Sequence, residues 1–441
     1  MVTFEIHERQ LVRSPAHQAF DHLTAGRSAV DIVTQGDNCC AFARRMLDNF
    51  LDGGVKQIEA AVKVRYGICY AHGEAAVRRL NTSKYHGLCV LTFHSDGAFL
   101  MTNILVIGGA GYIGSHTCLN LSQKGYTPVV FDSLVNGHRE FVQWGPFEQG
   151  DVRDRKRLDQ VISNYKPAAI VHFAGLIEVG QSISDPVAFF ESNVSGSITL
   201  FAAALHAGID KLVFSSTCAT YGIPRSVPIR EDHPQLPINP YGRSKLMVEQ
   251  ILNELDMRKA FRSVILRYFN AAGADPEGRI GEWHTPETHA IPLAIEAARS
   301  TGPNFKIFGS DYPTRDGTCI RDFIHVSDLA EAHSRGIDHL IGGGESIALN
   351  LGTGHGTSVK EIVAAIELVS KERLRIEYGP RREGDPPELV ADNALAKATL
   401  GWEPRSNLTS IVESAWKWHT RSMPHAKGEP KMGSTTGVRT N

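Results

Sequence analysis

The chain has 441 residues, 42% of them hydrophobic and 21% charged, with 46 Lys plus Arg set against 48 Asp plus Glu. The length predicts more than one domain, and the near cancellation of charge excludes a broad electrostatic attraction to nucleic acid or to a membrane surface. The sequence shows no run of about 18 apolar residues, the minimum for a membrane span, so none is expected. The seven cysteines lack regular spacing, which predicts free thiols in a reducing cytoplasm.

Residues 1–100 match no recognised domain. They lack the apolar core of a signal peptide at their start. Helical spacing runs from Ala41 to Leu51 and from Val55 to Val64. Cys39, Cys40, Cys69 and His72 fall near one another, but their spacing is not that of a zinc module, and no metal site is expected. Met101-Thr-Asn-Ile reads as a natural start, so the first hundred residues are expected to be either an upstream extension or a small accessory domain.

From residue 103 the pattern alternates strand and helix, with strands expected at 103–108, 127–132, 169–173, 211–216 and 263–268. Such alternation predicts an α/β fold built on a doubly wound parallel sheet. The apolar run Ile104–Ile107 ends at Gly108, and Gly108, Gly111 and Gly114 occupy the strand-to-helix turn that follows. Glycines there permit a tight turn, close approach of backbone to a pyrophosphate, and packing of helix on strand. A glycine triplet is also found in ordinary turns; the strand before it and the helix after it favour the dinucleotide reading. The next strand ends at Asp132, 18 residues after Gly114. A carboxylate at that point accepts both ribose hydroxyls of NAD and repels the extra phosphate of NADP, though a turn or capping Asp fits the same spacing.

Leu212–Thr217 is another apolar strand, ending in the hydroxyls Ser215, Ser216 and Thr217, where ligands bind in such sheets. Asn239-Pro240-Tyr241 starts a helix, with Asn as N-cap and Pro at the first position. Tyr241 and Lys245 then share one face, four residues apart. The ammonium and the positive end of the helix are expected to favour the phenolate and make Tyr241 a base. A packed Tyr and a surface Lys are the bland alternative. Beyond residue 275 the pattern loosens into a smaller mixed lobe, expected over 276–422 and intertwined with the nucleotide-binding part at 101–275. Ser358-Val-Lys-Glu361 opens a helix there as a capping box. Residues 423–441 are polar and expected to be disordered.

The motifs GGAGYIGSH (108–116), GDVRD (150–154), HFAGL (172–176), SSTCATYG (215–222), YGRSK (241–245), LRYFNAAGA (266–274) and FGSDYPTRDGTCIRDFIHVSDLA (308–330) carry a resemblance. The chain resembles the UDP-glucose 4-epimerase family, extended members of the short-chain dehydrogenase/reductase superfamily, from about Met101 to His419. The resemblance implies an isomerase of nucleotide-sugar metabolism with tightly bound NAD. It interconverts UDP-galactose and UDP-glucose through a 4-keto intermediate, in the cytoplasm and as a homodimer joined through helices 185–207 and 241–257. It implies Tyr241 as base, assisted by Thr217 and Lys245. Asp151 and Val152 would border the adenine. Phe173, Ala174 and Gly175 would line the pyrophosphate and ribose, and Asn193 and Lys245 the nicotinamide half. Gly108, Gly111, Tyr112, Ile113, Gly114, Asp132, Asn136, Tyr241 and Tyr268 complete the cofactor set. Thr217, Asn270, His289, Phe308, Arg321, Arg382, Asp385 and Leu389 fall on UDP-sugar positions. A guanidinium fork from Arg321 or Arg382 suits a diphosphate, and Phe308 offers a face to uracil.

The chain departs from the family pattern in places. Ile177 stands where many members have a Lys, and His289 replaces a common Asn. Leu389 replaces a larger Tyr of some members, which implies room for an N-acetylated sugar. Other UDP-sugars, such as UDP-GlcNAc, UDP-pentoses or UDP-uronates, remain alternative substrates. A 4,6-dehydratase is disfavoured because Cys218 and Ala219 follow Thr217 in place of an acidic pair. A non-catalytic NAD-binding scaffold is disfavoured by the intact Thr217, Tyr241 and Lys245.

Overall fold

The computed structural model describes strands within residues 1–100, and then residues 102–421 apart from 300, 301 and 383. The chain divides into two compact units, Met1–Leu100 and Met101–Asn441. In the first unit, strands β1 (Val2–Ile6), β2 (Val30–Thr34), β3 (Glu59–Val64), β4 (Gly67–Cys69) and β5 (Cys89–His94) form a sheet of order β1-β2-β5-β3-β4. The helical spacing read at Val55–Val64 gives way to strand β3, which pairs antiparallel with β4 and β5. The reason is visible in Ala60-Ala-Val62-Lys-Val64, where an alternating apolar pattern competes with the helical one. Residues 41–51, the Cys39, Cys40 and His72 positions and the tail 423–441 lie outside the described residues.

The second unit is built on a seven-stranded sheet. Its strands are β6 (Asn103–Ile107), β7 (Thr127–Asp132), β8 (Phe147–Gln149), β9 (Ala169–His172), β10 (Lys211–Thr217), β11 (Arg262–Tyr268) and β16 (Ile347–Leu351), in the order β16-β11-β10-β9-β6-β7-β8. Every neighbouring pair is parallel. All five expected strands are present, and β8 and β16 extend the sheet at its two edges. Neither edge strand is legible in the sequence. The first is three residues long and mostly half-exposed, and the second returns to the sheet from far along the chain.

The strand residues alternate between two cores. Ile104, Val106, Val130, Val171, Val213 and Val264 face helices α1 (Tyr112–Gln123) and α6 (Val326–Ile341). Leu105, Ile107, Phe131, Ile170, Phe214 and Ile265 face α2 (Arg155–Tyr165), α3 (Pro186–His206) and α4 (Pro240–Met257). A parallel sheet covered on both faces explains why its strands read as continuous apolar runs. Helix α3 is long and apolar enough to cross a membrane by length and composition, contrary to the expectation from the sequence. Half of it is buried in the second core, as a covering helix requires.

The smaller lobe packs a third core from α5 (Ala290–Ala298), α7 (Val359–Ser370) and α8 (Leu408–Thr420) around Phe305, Ile307 and Phe323. The expected capping box opens α7, with Ser358 Oγ accepting from Glu361 N at 3.1 Å and Glu361 Oε2 accepting from Ser358 N at 2.8 Å. Short strands complete this lobe: β12 (Asn270–Ala272) pairs with β15 (Phe323–His325), β13 (Phe305–Phe308) with β18 (Ile376–Gly379), and β14 (Ile320–Arg321) lies between β17 (Thr357–Ser358) and β19 (Glu388–Leu389).

Three histidines are buried as neutral rings. Burial lowers His116 to about 4, His172 to about 3 and His333 to about 4. Below a pH of about 6.5 an unfolded chain takes up these protons while the folded chain does not. The stability they allow is therefore complete above that pH and is lost as pH falls towards 4. The unfolding free energy from urea titrations is expected to fall across this window with a slope of up to about 1.4 kcal/mol per pH unit for each histidine. His172→Gln should reduce the slope by one proton, measured as the pH dependence of the unfolding free energy.

Candidate active site

Strand order reverses between β6 and β9, and that switch point is where doubly wound sheets bind ligands. Gly108 follows β6, and Phe173 and Ala174 follow β9. Phe173 N and Ala174 N both donate to Ile107 O, at 2.8 and 3.1 Å. This brings the expected Gly108, Phe173, Ala174 and Gly175 to one crevice. Gly108 has φ +81°, and a Cβ there would stand 2.7 Å from Ala174 N. A Cβ on Gly114 would stand 2.2 Å from Gly108 O. Gly111 is different: a Cβ there would meet only Gly108 O, at 3.4 Å. The protein itself leaves room at Gly111, so its small size serves a group that approaches from outside. Gly111 is also the N-cap of α1, with no side chain capping the helix. The first-turn N–H groups of Tyr112, Ile113 and Gly114 are therefore available to an anion. These features fit a dinucleotide pyrophosphate.

Asp132 ends β7 and is buried. Its Oδ2 accepts from Ala110 N and its Oδ1 from Leu134 N, each at 2.9 Å. Burial raises the carboxyl despite these bonds. A Cβ on Gly137 would stand 2.8 Å from Asp132 Oδ1, so the loop closes tightly over it. Asn136 lies exposed on that loop. Asp151 is held by Arg153 through Nε at 2.9 Å and Nη2 at 2.6 Å, and Val152 beside it is buried. Asn193 sits in a π-helical turn, Phe190–Ser195, within α3. Such turns inside helices are frequent at functional positions. Its side chain clamps the loop after β9, with Oδ1 accepting from Leu176 N at 2.8 Å and Nδ2 donating to Leu176 O at 3.0 Å and Ser244 Oγ at 2.9 Å.

Asn239 caps α4 as expected, its Oδ1 accepting from Gly242 N at 2.8 Å. Lys245 is 3% exposed, and Nζ donates to Ser215 O at 2.9 Å and lies 5.0 Å from the Phe214 ring centre. Burial lowers the ammonium to about 8. Burial likewise raises the Tyr241 phenol to about 12, with Thr217 acting in the opposite direction. This corrects the expectation that the ammonium and the positive end of the helix favour the phenolate; burial acts the other way and sets the direction. Desolvation disfavours charge on both groups, and the lysine is engaged with a backbone carbonyl of β10. Thr217 ends β10, and its Oγ1 accepts from Ala219 N at 3.1 Å, which leaves its own proton to donate. Tyr268, paired with Thr217 across β10 and β11, shares a hydrogen bond with Ser215 Oγ.

Two of the residues expected on the substrate side meet through β14 and β19, where Arg321 is paired in register with Leu389. Leu389 and Cys218 both pack against the cluster of Tyr221, Ile229, Phe269 and Ala391. Arg321 Nη2 pairs with Asp385, and the Arg382 guanidinium lies 4.1 Å from the centre of the Phe308 ring. Asn270 N donates to Asp322 O at 3.0 Å. His289 keeps different company. It is the N-cap of α5, and its Nδ1 faces Glu282 and Glu287.

The support beneath the site is a buried ion pair that local sequence patterns do not single out. Glu249, one turn beyond Lys245, is 1% exposed and accepts from Arg267 Nε at 3.1 Å and Nη2 at 2.6 Å, from Gln235 Nε2 at 2.9 Å and from Ser216 Oγ. The available signal was a charged residue set into an apolar stretch. Arg267 interrupts the strand run Val264-Ile-Leu, and Glu249 follows Val248 on the buried face of the helix.

A doubly wound sheet with a pyrophosphate cradle and a half-buried Tyr beside a buried Lys at its carboxyl edge defines a dinucleotide-dependent enzyme. Residues 104–352 match the NAD dependent epimerase/dehydratase family. The chain is 65% identical over 319 residues to the UDP-glucose 4-epimerase of Rhizobium meliloti, covering 72% of this chain and 97% of the relative. Among solved structures it is similar to UDP-glucose 4-epimerase from Brucella ovis in complex with NAD, with TM-score 0.71, 46% identity and coverage of 72% and 98%. It is also similar to the Bifidobacterium longum UDP-glucose 4-epimerase in complex with NAD+ and UDP, with TM-score 0.69, 34% identity and coverage of 72% and 98%. The chain belongs to the NAD-dependent epimerase/dehydratase family, and the resemblance carried by its motifs is borne out.

Because the Glu249–Arg267 pair joins α4 to β11, Glu249→Ala is expected to destabilise the protein by about 3–5 kcal/mol, leaving a buried guanidinium uncompensated. Chemical denaturation of wild type and variant at neutral pH measures it.

Proposed function

We propose that this protein is a UDP-glucose 4-epimerase, interconverting UDP-galactose and UDP-glucose with NAD retained between turnovers. The observation that carries the reading is the convergence of Tyr241, Lys245 and Thr217 on the carboxyl edge of the sheet beside the Gly108–Gly114 cradle. NAD+, when bound, supplies the hydride acceptor for the sugar's C4 and a positive charge that favours an adjacent phenolate. Gly108, Gly111 and the first turn of α1 would hold its pyrophosphate, Asp132 its ribose, and Asn193 with Lys245 the nicotinamide half.

The remaining work falls to this chain's own groups. Tyr241 holds the proton that leaves the sugar's 4-hydroxyl and later gives it back. A phenol at about 12 is a weak donor in the isolated site, so burial keeps it neutral until a positive charge arrives. Thr217, with its oxygen already occupied by Ala219 N, donates to the sugar oxygen. Arg321 and Arg382 bind the diphosphate, and Phe308 with Asn270 and Asp385 holds the nucleotide side. The diphosphate tether lets a 4-keto sugar turn its other face to the site, and Leu389 leaves space beside it. Purified protein is expected to convert UDP-galactose with no NAD added. Tyr241→Phe should retain NAD, released on heat denaturation, and lose activity by about 10²- to 10⁴-fold. A variant within about tenfold of wild type would overturn the role of the phenol.

A homodimer is part of the same proposal. The outward residues of α3 and α4 include Val187 at 63%, Ile198 at 48%, Met247 at 42% and Met257 at 69% exposure, an apolar surface suited to pairing between copies. Light scattering on the eluting peak should give twice the chain mass, and a monomer at micromolar concentration would refute it.

A further inference from the structure

Glu282, His284, Glu287 and His289 lie within one eight-residue stretch that leads into α5; His289 falls on an expected UDP-sugar position, and the other three have no role in the epimerase chemistry. We infer that these four side chains form a binding site for one divalent transition-metal cation of the zinc class. Each residue offers one ligand atom, an imidazole nitrogen or a carboxylate oxygen, and these four atoms lie within 4.8 Å of one another.

Three observations carry this. The first is that hydrogen bonds do not account for the arrangement. His289 Nδ1 stands 3.0 Å from both Glu282 Oε1 and Glu287 Oε1, and one proton serves only one of them well. His284 Nδ1 is buried without a hydrogen-bond partner, 3.5 Å from Glu282 Oε1 and 3.7 Å from Glu287 Oε2. The second is geometric. Metal bonds of about 2.0–2.1 Å in a tetrahedron set neighbouring ligand atoms about 3.3 Å apart; Glu282 Oε1 stands 3.5 and 3.0 Å from the two Nδ1 atoms, and Glu287 approaches the same nitrogens with Oε2 at 3.7 Å and Oε1 at 3.0 Å. The third is charge. Two carboxylates balance one divalent cation, and Glu282 is 4% exposed with His284 and His289 as its ion-pair partners. Metal would replace protons on the imidazoles, so uptake releases them.

The stretch is held from outside, as ligands to a fixed site require. Trp418 Nε1 donates to Glu282 O at 2.8 Å, and Trp283 stacks on His138 with ring centres 4.3 Å apart. The His284 ring stands edge-on to Tyr112 of the cradle, 6.3 Å between centres. The site therefore staples the entry of α5 to the cofactor half of the enzyme. His and carboxylate donors without thiolate suit zinc.

The test uses full-length protein, stripped with a chelator and re-equilibrated with zinc chloride. Wild type is expected to retain about one zinc per chain more than the His284→Ala/Glu287→Gln double variant, by elemental analysis. Equal zinc in both would overturn the site. A second measurement needs no variant. Cobalt(II) added to the stripped wild type should give visible d–d bands of four-coordinate geometry without the thiolate charge-transfer absorption of a cysteine site. Absence of those bands, or their appearance only with thiolate absorption, would leave the four residues as a proton-sharing ion cluster and refute the proposal.

Discussion

The buried ion pair between Glu249 and Arg267 fixes the geometry on which the active site depends. Glu249 lies one helical turn beyond Lys245 on α4, and Arg267 lies one residue before the end of β11. The carboxylate also accepts from Ser216, next to Thr217 on β10. Arg267 Nη1 donates to Tyr221 at 2.9 Å, and Tyr221 donates to Asn350 of β16 at 2.7 Å. One network therefore ties α4 to three adjacent strands. A charged pair with its remaining lone pairs satisfied holds directions that an apolar contact would leave loose.

Around that anchor, burial prepares the chemistry. Tyr241 and Lys245 are both pushed towards their neutral forms, the phenol up to about 12 and the ammonium down to about 8. A site of this kind responds strongly to any charge brought into it, because low dielectric magnifies each interaction. The cradle contributes on the same terms. Its glycines bring the backbone of β6, the loop after β9 and the start of α1 within van der Waals limits of one another, and its uncapped helix end presents donors.

The smaller lobe meets this edge through β14 and β19, which pair Arg321 with Leu389 and pack Leu389 against the same cluster as Cys218. The same lobe places Glu282, His284, Glu287 and His289 beside Tyr112. Two different seams thus join the lobes, one lined by the groups expected to hold the nucleotide sugar and one by the histidine–carboxylate group.

The sequence by itself determined the elements whose signal is local. Ile104–Ile107 followed by three glycines, Asp132 at the end of the next strand, Asn239-Pro240 before Tyr241 and the Ser358–Glu361 box each depend on residues a few positions apart, where periodicity and capping chemistry decide the outcome. The doubly wound sheet and the face shared by Tyr241 and Lys245 followed from them. Only the tertiary structure decided what depends on residues far apart in the chain: that β16 returns to flank β11, that Glu249 finds Arg267, that Arg321 aligns with Leu389, and that Lys245 turns to Ser215 O while burial, rather than the nearby ammonium, sets the Tyr241 phenol. In the first unit, tertiary pairing with β4 and β5 likewise made a strand of 59–64, where helical and alternating patterns compete locally. Desolvation and long-range pairing are properties of the packed molecule, and a local pattern carries no measure of either.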